Sequence, residues 1–226
     1  MRDGVAPGRR DGGVPGMMAA EGVAAFARRF PVLFHVTDPA ALPGIERNGL
    51  LSAAALVELY GVPEAERAAL LEENRGKGRF HPLQRPGLPG AVLRDQWLPE
   101  KGLLACLGGR YAGQPREWRR LINDHAYFWL SAADATRLAG VNAARAQVVL
   151  RFDAAALLAV HGAAAWTTPI NAGSVMTRRW PPSPRDESTL RPVSEFPRAD
   201  RRKPRELAIR GGVPDAWRFR LPDPPG

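Results

Sequence analysis

The chain has 226 residues and a mass of 24.6 kDa, enough for one well-buried core and a tight fit for two. Lys and Arg number 32 against 23 Asp and Glu, a formal net charge of +9, and the excess is mostly arginine. The single cysteine, Cys106, excludes an intrachain disulfide framework and fits a reducing interior.

The sequence pI near 10.8 favours a polyanionic partner or an anionic cofactor. Guanidinium grips phosphate bidentately, and counterion release drives the binding. A GC-rich coding sequence enriches Arg, Ala, Gly and Pro to the same effect, so the charge has two explanations. Four histidines, His35, His81, His125 and His161, occur without Cys-x-x-Cys or His-Glu-x-x-His spacing, which leaves no zinc ligand set and no zinc-deaminase signature. The most apolar run, Met17 to Phe26, contains Glu21 and is too short to span a bilayer. No secretory pattern is legible, so a cytoplasmic location and no membrane partner are expected.

In chain order, residues 1–16 read as a disordered Gly/Arg/Pro tail, 17–221 as one domain and 222–226 as a loose C-terminus. A helix from Ala19 to Arg29 leads into an apolar strand, Phe30 to Thr37, then a turn and a helix through Pro43 to Asn48 closed by Gly49. Ser52 reads as the N-cap of a helix over Ala53 to Tyr60, and another follows from Pro63 to Glu73. Gly76 to Gly90 reads as a long surface loop, a kind of segment that is commonly functional. Val92 to Asp95 follows as a short strand or turn, and Gly102 to Leu107 and Arg116 to Ile122 look helical. Tyr127-Phe-Trp-Leu130 reads as a buried strand, Ser131 as the cap of a helix over Ala132 to Leu138, and Gln147 to Phe152 as a strand followed by a short helix from Asp153 to His161. Thr167 to Arg205 is expected to be irregular, with strands at Glu206 to Ile209 and Trp217 to Leu221. Strands scattered among short helices without βαβ repetition predict an α+β fold. No Gly-x-Gly-x-x-Gly follows a strand and no Walker loop is present, so Rossmann and P-loop sites are unsupported.

Residues two apart in a strand share a face, so His35 and Thr37 would present an imidazole and a hydroxyl to one pocket. The alternative is a histidine satisfied by a backbone carbonyl, with Thr37 or Asp38 capping the next helix. Arg94-Asp95-Gln96 suits a diphosphate, with Asp95 fixing the guanidinium, or else a structural ion pair closing a loop. Asn123, Asn171 and Ser174 offer amide and hydroxyl groups near strand ends, or form turns. Between Arg178 and Arg202, basic residues interleave with Trp180 and Phe196, as in a single-stranded nucleic-acid groove or a solvated basic loop.

Three separated pieces of sequence carry a resemblance: His35-Val-Thr37 with the following helix and Gly49-Leu50, Tyr127-Phe-Trp-Leu-Ser131, and Arg205-Glu206-Leu-Ala-Ile209 followed by Val213-Pro214. Together they resemble ADP-ribosyltransferases, most closely DNA ADP-ribosyltransferase toxins of the DarT type and related bacterial domains of unknown function. The resemblance implies a split, mixed-strand core that binds NAD in a cleft between two small sheets. It implies that His35 hydrogen-bonds a ribose hydroxyl and that Thr37 supports the nicotinamide side, and the diphosphate of the same cofactor is what Arg94 would then meet. Tyr127 would stack on nicotinamide, with Trp129 as its substitute, and Glu206 would be the catalytic carboxylate.

The acceptor-reading loop of such enzymes precedes the glutamate, which makes Arg178, Arg179, Trp180, Arg185 and Arg191 the expected nucleic-acid contacts. A base in single-stranded DNA or RNA is then the expected acceptor, in a toxin or phage-defence role with an antitoxin or immunity protein as a further partner. The alternatives are an RNA 2′-phosphotransferase-like enzyme, which uses a related NAD-binding fold, and a non-catalytic nucleic-acid-binding module.

Overall fold

The computed structural model describes residues 15–141, 145–175, 181–197 and 203–223. The first half runs α1 (Pro15–Arg29), β1 (Val32–Thr37), α2 (Leu42–Asn48), β2 (Leu50–Leu51), α3 (Ala53–Leu59), α4 (Glu64–Glu72), β3 (His81–Leu83), β4 (Ala91–Leu93) and α5 (Glu100–Leu104). The second half runs α6 (Pro115–Asn123), β5 (His125–Trp129), α7 (Ala132–Val141), β6 (Val148–Asp153), α8 (Ala154–His161), β7 (Ala165–Thr168), β8 (Arg191–Pro192), β9 (Glu206–Arg210) and β10 (Gly212–Val213). The fold is α+β, as the strand pattern predicts.

Six strands form the main sheet in the order β6-β1-β5-β9-β7-β8, and each neighbouring pair is antiparallel. Apolar residues at alternate positions, among them Leu33, Phe128, Phe152, Leu207 and Ile209, bury one face against Phe26 of α1 and Leu157 of α8. A second core joins Leu98, Leu103, Trp118 and Ile122 around α5 and α6, and a third joins Val57 and Tyr60 to Leu83, Ala91 and Leu93.

Several elements differ from expectation. The segment from Gly76 to Gly90 is not structureless: His81↔Leu93 and Leu83↔Ala91 pair β3 with β4, because Leu83 and Leu93 have Val57 and Tyr60 to bury against. Trp217 to Leu221 is not a strand. Ala216–Phe219 forms a tight turn that drops Phe219 into the main core, and one bridge, Phe152↔Arg220, remains of the pairing. Helix α1 begins at Pro15, ahead of the expected Ala19, and β5 at His125, ahead of Tyr127. The expected helix at Gly102 to Leu107 sits earlier, at Glu100–Leu104.

Two of the motif pieces meet in space. Gly49 ends α2 with φ +82°, a conformation only glycine adopts freely. The chain then turns straight into β2, and Leu50↔Val213 and Leu51↔Gly212 form a two-stranded ribbon with β10. A Cβ on Gly49 would collide with the Val213 and Pro214 carbonyls. No helix among the described residues is long and apolar enough to cross a membrane.

Candidate functional site

The site begins as a fault in the main sheet. Strand β1 pairs with β6 along its full length, from Val32↔Asp153 to Thr37↔Val148, yet it meets β5 at the single position Phe34↔Trp129. Beyond that point a side chain takes the place of the ladder: His35 Nδ1 donates to the Tyr127 carbonyl at 2.9 Å. That bond fixes the tautomer and leaves Nε2 as the acceptor. Burial, reinforced by the Arg94 charge, lowers the imidazole pKa to about 4, so the ring is neutral at pH 7.

A cavity of about 550 Å³ opens at this split, within the size range of small-molecule sites. Its wall includes His35, Thr37, Tyr127, Trp129 and Glu206, so the structure brings these expected residues together. Both readings of the His35 strand hold at once, since the imidazole is satisfied by a backbone carbonyl and also lines the cavity. Asp38, not Thr37, caps the following turn by accepting from the Ala40 amide at 2.9 Å.

Glu206 lies directly across from Trp129 in the β5–β9 ladder, and Tyr127 lies across from Ala208, which puts all three candidate side chains on one sheet face. The Glu206 carboxylate is 3 % exposed and accepts one backbone hydrogen bond, from Ala172 N–H at 3.0 Å. Burial pushes its pKa up to about 8, against the opposing pull of that amide and of Arg205 and Arg185, while Asp134 adds to the rise. The carboxyl therefore holds a proton at neutral pH. Tyr127 presents a buried hydroxyl without a hydrogen-bond partner among the described residues, and burial together with the Glu206 charge raises its pKa. Arg205 lies 5.2 Å from the centre of the Trp129 ring and bonds Asp134 at 3.3 Å. With that ring already engaged, Tyr127 is the better placed aromatic for stacking on a ligand.

A second charged group lines the same cavity. Arg94 lies 3.4 Å from Asp95, bonds the Gln147 amide oxygen, and keeps one buried nitrogen, Nη2, without a partner among the described residues. The ion-pair reading of Arg94 is thus present, and a donor is left over on the cavity side among the described residues. Phe80 lies 5.5 Å from the Arg94 guanidinium and 4.5 Å from that of Arg145, which in turn pairs with Asp38. Arg75 is buried and donates to the Arg94 carbonyl, the Leu70 carbonyl and Asn123 Oδ1; burial lowers its pKa to about 10, so it stays charged. Asn123 also accepts from Gln96 at 3.1 Å and donates to the Leu71 carbonyl at 2.8 Å. Arg75, Phe80 and Arg145 escape sequence reasoning because each sits outside the motifs. For Arg75 and Phe80 the available signal is the run Arg75-Gly-Lys-Gly-Arg-Phe80 at the entry to the long loop, and Arg145 carries none.

The expected nucleic-acid contacts fare differently. Arg178, Arg179 and Trp180 lie outside the described residues. Arg185 is corrected: it is 3 % exposed and its two terminal nitrogens donate to the Ser183, Asn171 and Ser174 carbonyls, so it offers no surface to a polyanion. Arg191 is half-buried in β8 and bonds the Ser188 carbonyl at 2.9 Å. Asn171 and Ser174 line the cavity, and Asn171 acts as a turn former, its Oδ1 accepting from Gly173 N–H at 3.0 Å. No group of three or more His, Cys, Asp or Glu among the described residues has the placement to hold a metal ion.

No curated protein and no solved structure matches the chain. The model of one family of unknown function, DUF7002, matches residues 31–219, a span that takes in every cavity residue named above, and the chain belongs to that family.

Proposed function

We propose that this protein is an NAD-dependent ADP-ribosyltransferase whose acceptor is a base in single-stranded DNA or RNA. The observation that carries the reading is the meeting of His35, Tyr127, Trp129 and Glu206, from three separate strands, on one cavity at a break in the sheet. An orphaned phenol and a lone buried carboxyl in that cavity are groups awaiting a polar, cationic ligand, which the nicotinamide ribose of NAD would be.

In this reading His35 Nε2 accepts from a ribose hydroxyl, the Tyr127 ring stacks on nicotinamide, and Arg94 Nη2 faces the diphosphate. Cleavage of the ribose C1′–N bond leaves its electron pair on nicotinamide and positive charge on the ribose. The Glu206 carboxylate stabilises that charge and orients the 2′-hydroxyl, as glycosidase carboxylates do. The acceptor atom then bonds C1′ and releases its proton to Glu206 or solvent. Glu206 is protonated in the empty cavity, and a cationic ring beside it favours ionisation, so the carboxylate gains its charge as the ligand enters.

The net charge of +9 supports a nucleic-acid acceptor, and a single cysteine fits a cytoplasmic enzyme that meets NAD there. A toxin or phage-defence role, restrained by an antitoxin or immunity protein, follows from such an activity. The test is incubation of the purified protein with labelled NAD and single-stranded DNA, RNA or protein. Glu206-dependent label on nucleic acid is expected, and label on protein alone removes this acceptor. No NAD-induced rise in Tm would remove the cofactor as well. The buried guanidiniums of Arg75 and Arg94 on the same cavity favour one second reading, an RNA 2′-phosphotransferase, identified by NAD-consuming loss of a 2′-phosphate from RNA.

A further inference from the structure

We propose that Arg185 is a positioning residue for Glu206: its buried guanidinium clamps the turn at Asn171–Ser174 so that the Ala172 amide holds the carboxyl group in place in the cavity. Arg185 lies far from the motif pieces in sequence and does not line the cavity. Its Nη2 donates to the Ser174 carbonyl at 2.7 Å and the Asn171 carbonyl at 3.3 Å, one on each side of Ala172. Its Nη1 donates to the Ser183 carbonyl at 3.1 Å and lies 3.6 Å from the Cys106 thiol.

The clamp is itself anchored. Arg185 N–H donates to the Cys106 carbonyl and the Arg185 carbonyl accepts from Gly108 N–H, both at 2.8 Å, which ties it to the end of α5. The turn is held from the other side by Trp97, whose N–H donates to the Gly173 carbonyl and whose carbonyl accepts from Val175 N–H. The outcome is one backbone donor, Ala172 N–H, aimed at Glu206 Oε2.

A structural clamp alone does not call for this residue. Among the described residues no carboxylate forms an ion pair with Arg185, and its buried Nε has no hydrogen-bond partner, so the charge is costly where it sits. Glu206 is a carboxylate whose field it feels. The charged and titratable groups acting on Glu206 are Arg205 beside it on β9, Arg185, Asp134 at the start of α7, and Tyr127 on β5. Arg185 thus acts on Glu206 twice, through the amide it positions and through its charge.

The proposal rests on the transferase reading for what Glu206 does, and its test does not need turnover. The carboxyl carbon of Glu206 is followed by NMR in protein labelled with ¹³C-glutamate, assigned by its loss in Glu206→Gln. Arg185→Met removes charge and clamp, and Arg185→Lys keeps the charge without the fork. Each is expected to raise the proton affinity of Glu206, by roughly tenfold for Met and less for Lys, whereas Arg191→Met in the same segment leaves it unchanged. If Arg185→Met does not fold, Arg185→Lys carries the comparison alone.

A folded Arg185 variant with the wild-type Glu206 titration overturns the proposal. In an active enzyme, Arg185→Lys lowers kcat while the KM for NAD stays within about twofold, because the positioned group acts on the transition state. A shifted titration in a protein that never transfers ADP-ribose keeps the clamp and discards the transferase reading. An unshifted titration in an active transferase does the reverse.

Discussion

Two groups of side chains on one cavity handle charge in opposite ways. Glu206 has no ion-pair partner among the described residues: it is a buried carboxyl with one amide donor and only more distant arginines, raised to a pKa of about 8 and protonated when the cavity is empty. In the Arg94 group the ions are paired, Arg94 with Asp95 and Arg145 with Asp38, around the Phe80 ring. A lone buried charge is expensive and changes state when a ligand supplies its counterion, whereas paired charges keep their state and recognise shape. The first group is built to change charge and the second to hold it.

Breaking the first group should cost most. Glu206→Gln keeps the volume and a hydrogen-bond acceptor, so a normal fold is expected with ADP-ribosyl transfer to labelled acceptor down by about 10²-fold or more. Wild-type transfer by this variant would show that Glu206 never changes charge for a purpose. Next, His35→Phe strands the Tyr127 carbonyl at the sheet fault and should lower stability by about 1–3 kcal/mol in urea denaturation.

The pH dependence of Tm sharpens the contrast. Because the folded pKa of Glu206 lies above its ordinary 4.5, its contribution to stability is complete below about pH 4.5 and is lost as the pH rises through about 8. His35 has the opposite sign: its folded value, about 4, lies below 6.5, so its contribution is complete above pH 6.5 and is lost as the pH falls through 4. Glu206→Gln should flatten the fall in Tm between about pH 4.5 and 8 and leave the profile below pH 4 alone. The Arg94 group should answer more weakly. Arg94→Met is expected to weaken NAD binding by about tenfold in calorimetry, through the loss of one charge-assisted donor. Arg145→Lys, which keeps a cation beside the buried Asp38 carboxylate and changes an arginine whose side chain is 46 % exposed, should cost less than about 1 kcal/mol of stability.

Much of the site was legible because strand and turn chemistry is local. Apolar alternation marked β1, β5 and β9, Gly49 marked the end of α2, and Ser52 capped α3 with its hydroxyl accepting from Ala55 N–H at 3.1 Å. Those signals put His35 and Thr37 on one face of a strand, whereas Tyr127 and Glu206 stood out only through the resemblance to ADP-ribosyltransferases. The basic excursion misled at Arg185, because an arginine among prolines reads as solvated, and only packing reveals that carbonyls from three other positions surround its guanidinium. The β3–β4 hairpin was missed for a related reason: its strands are three residues each and form where α3 offers an apolar surface.

By itself, then, the sequence determined the α+β class, the strands that carry the candidate residues and the excess of positive charge, since period, caps and composition are properties of neighbouring residues. The tertiary structure decided where β1 parts from β5, which charges are buried alone and which in pairs, and that Arg185 faces inward. Those outcomes depend on desolvation and on contacts between distant segments, which no local pattern encodes.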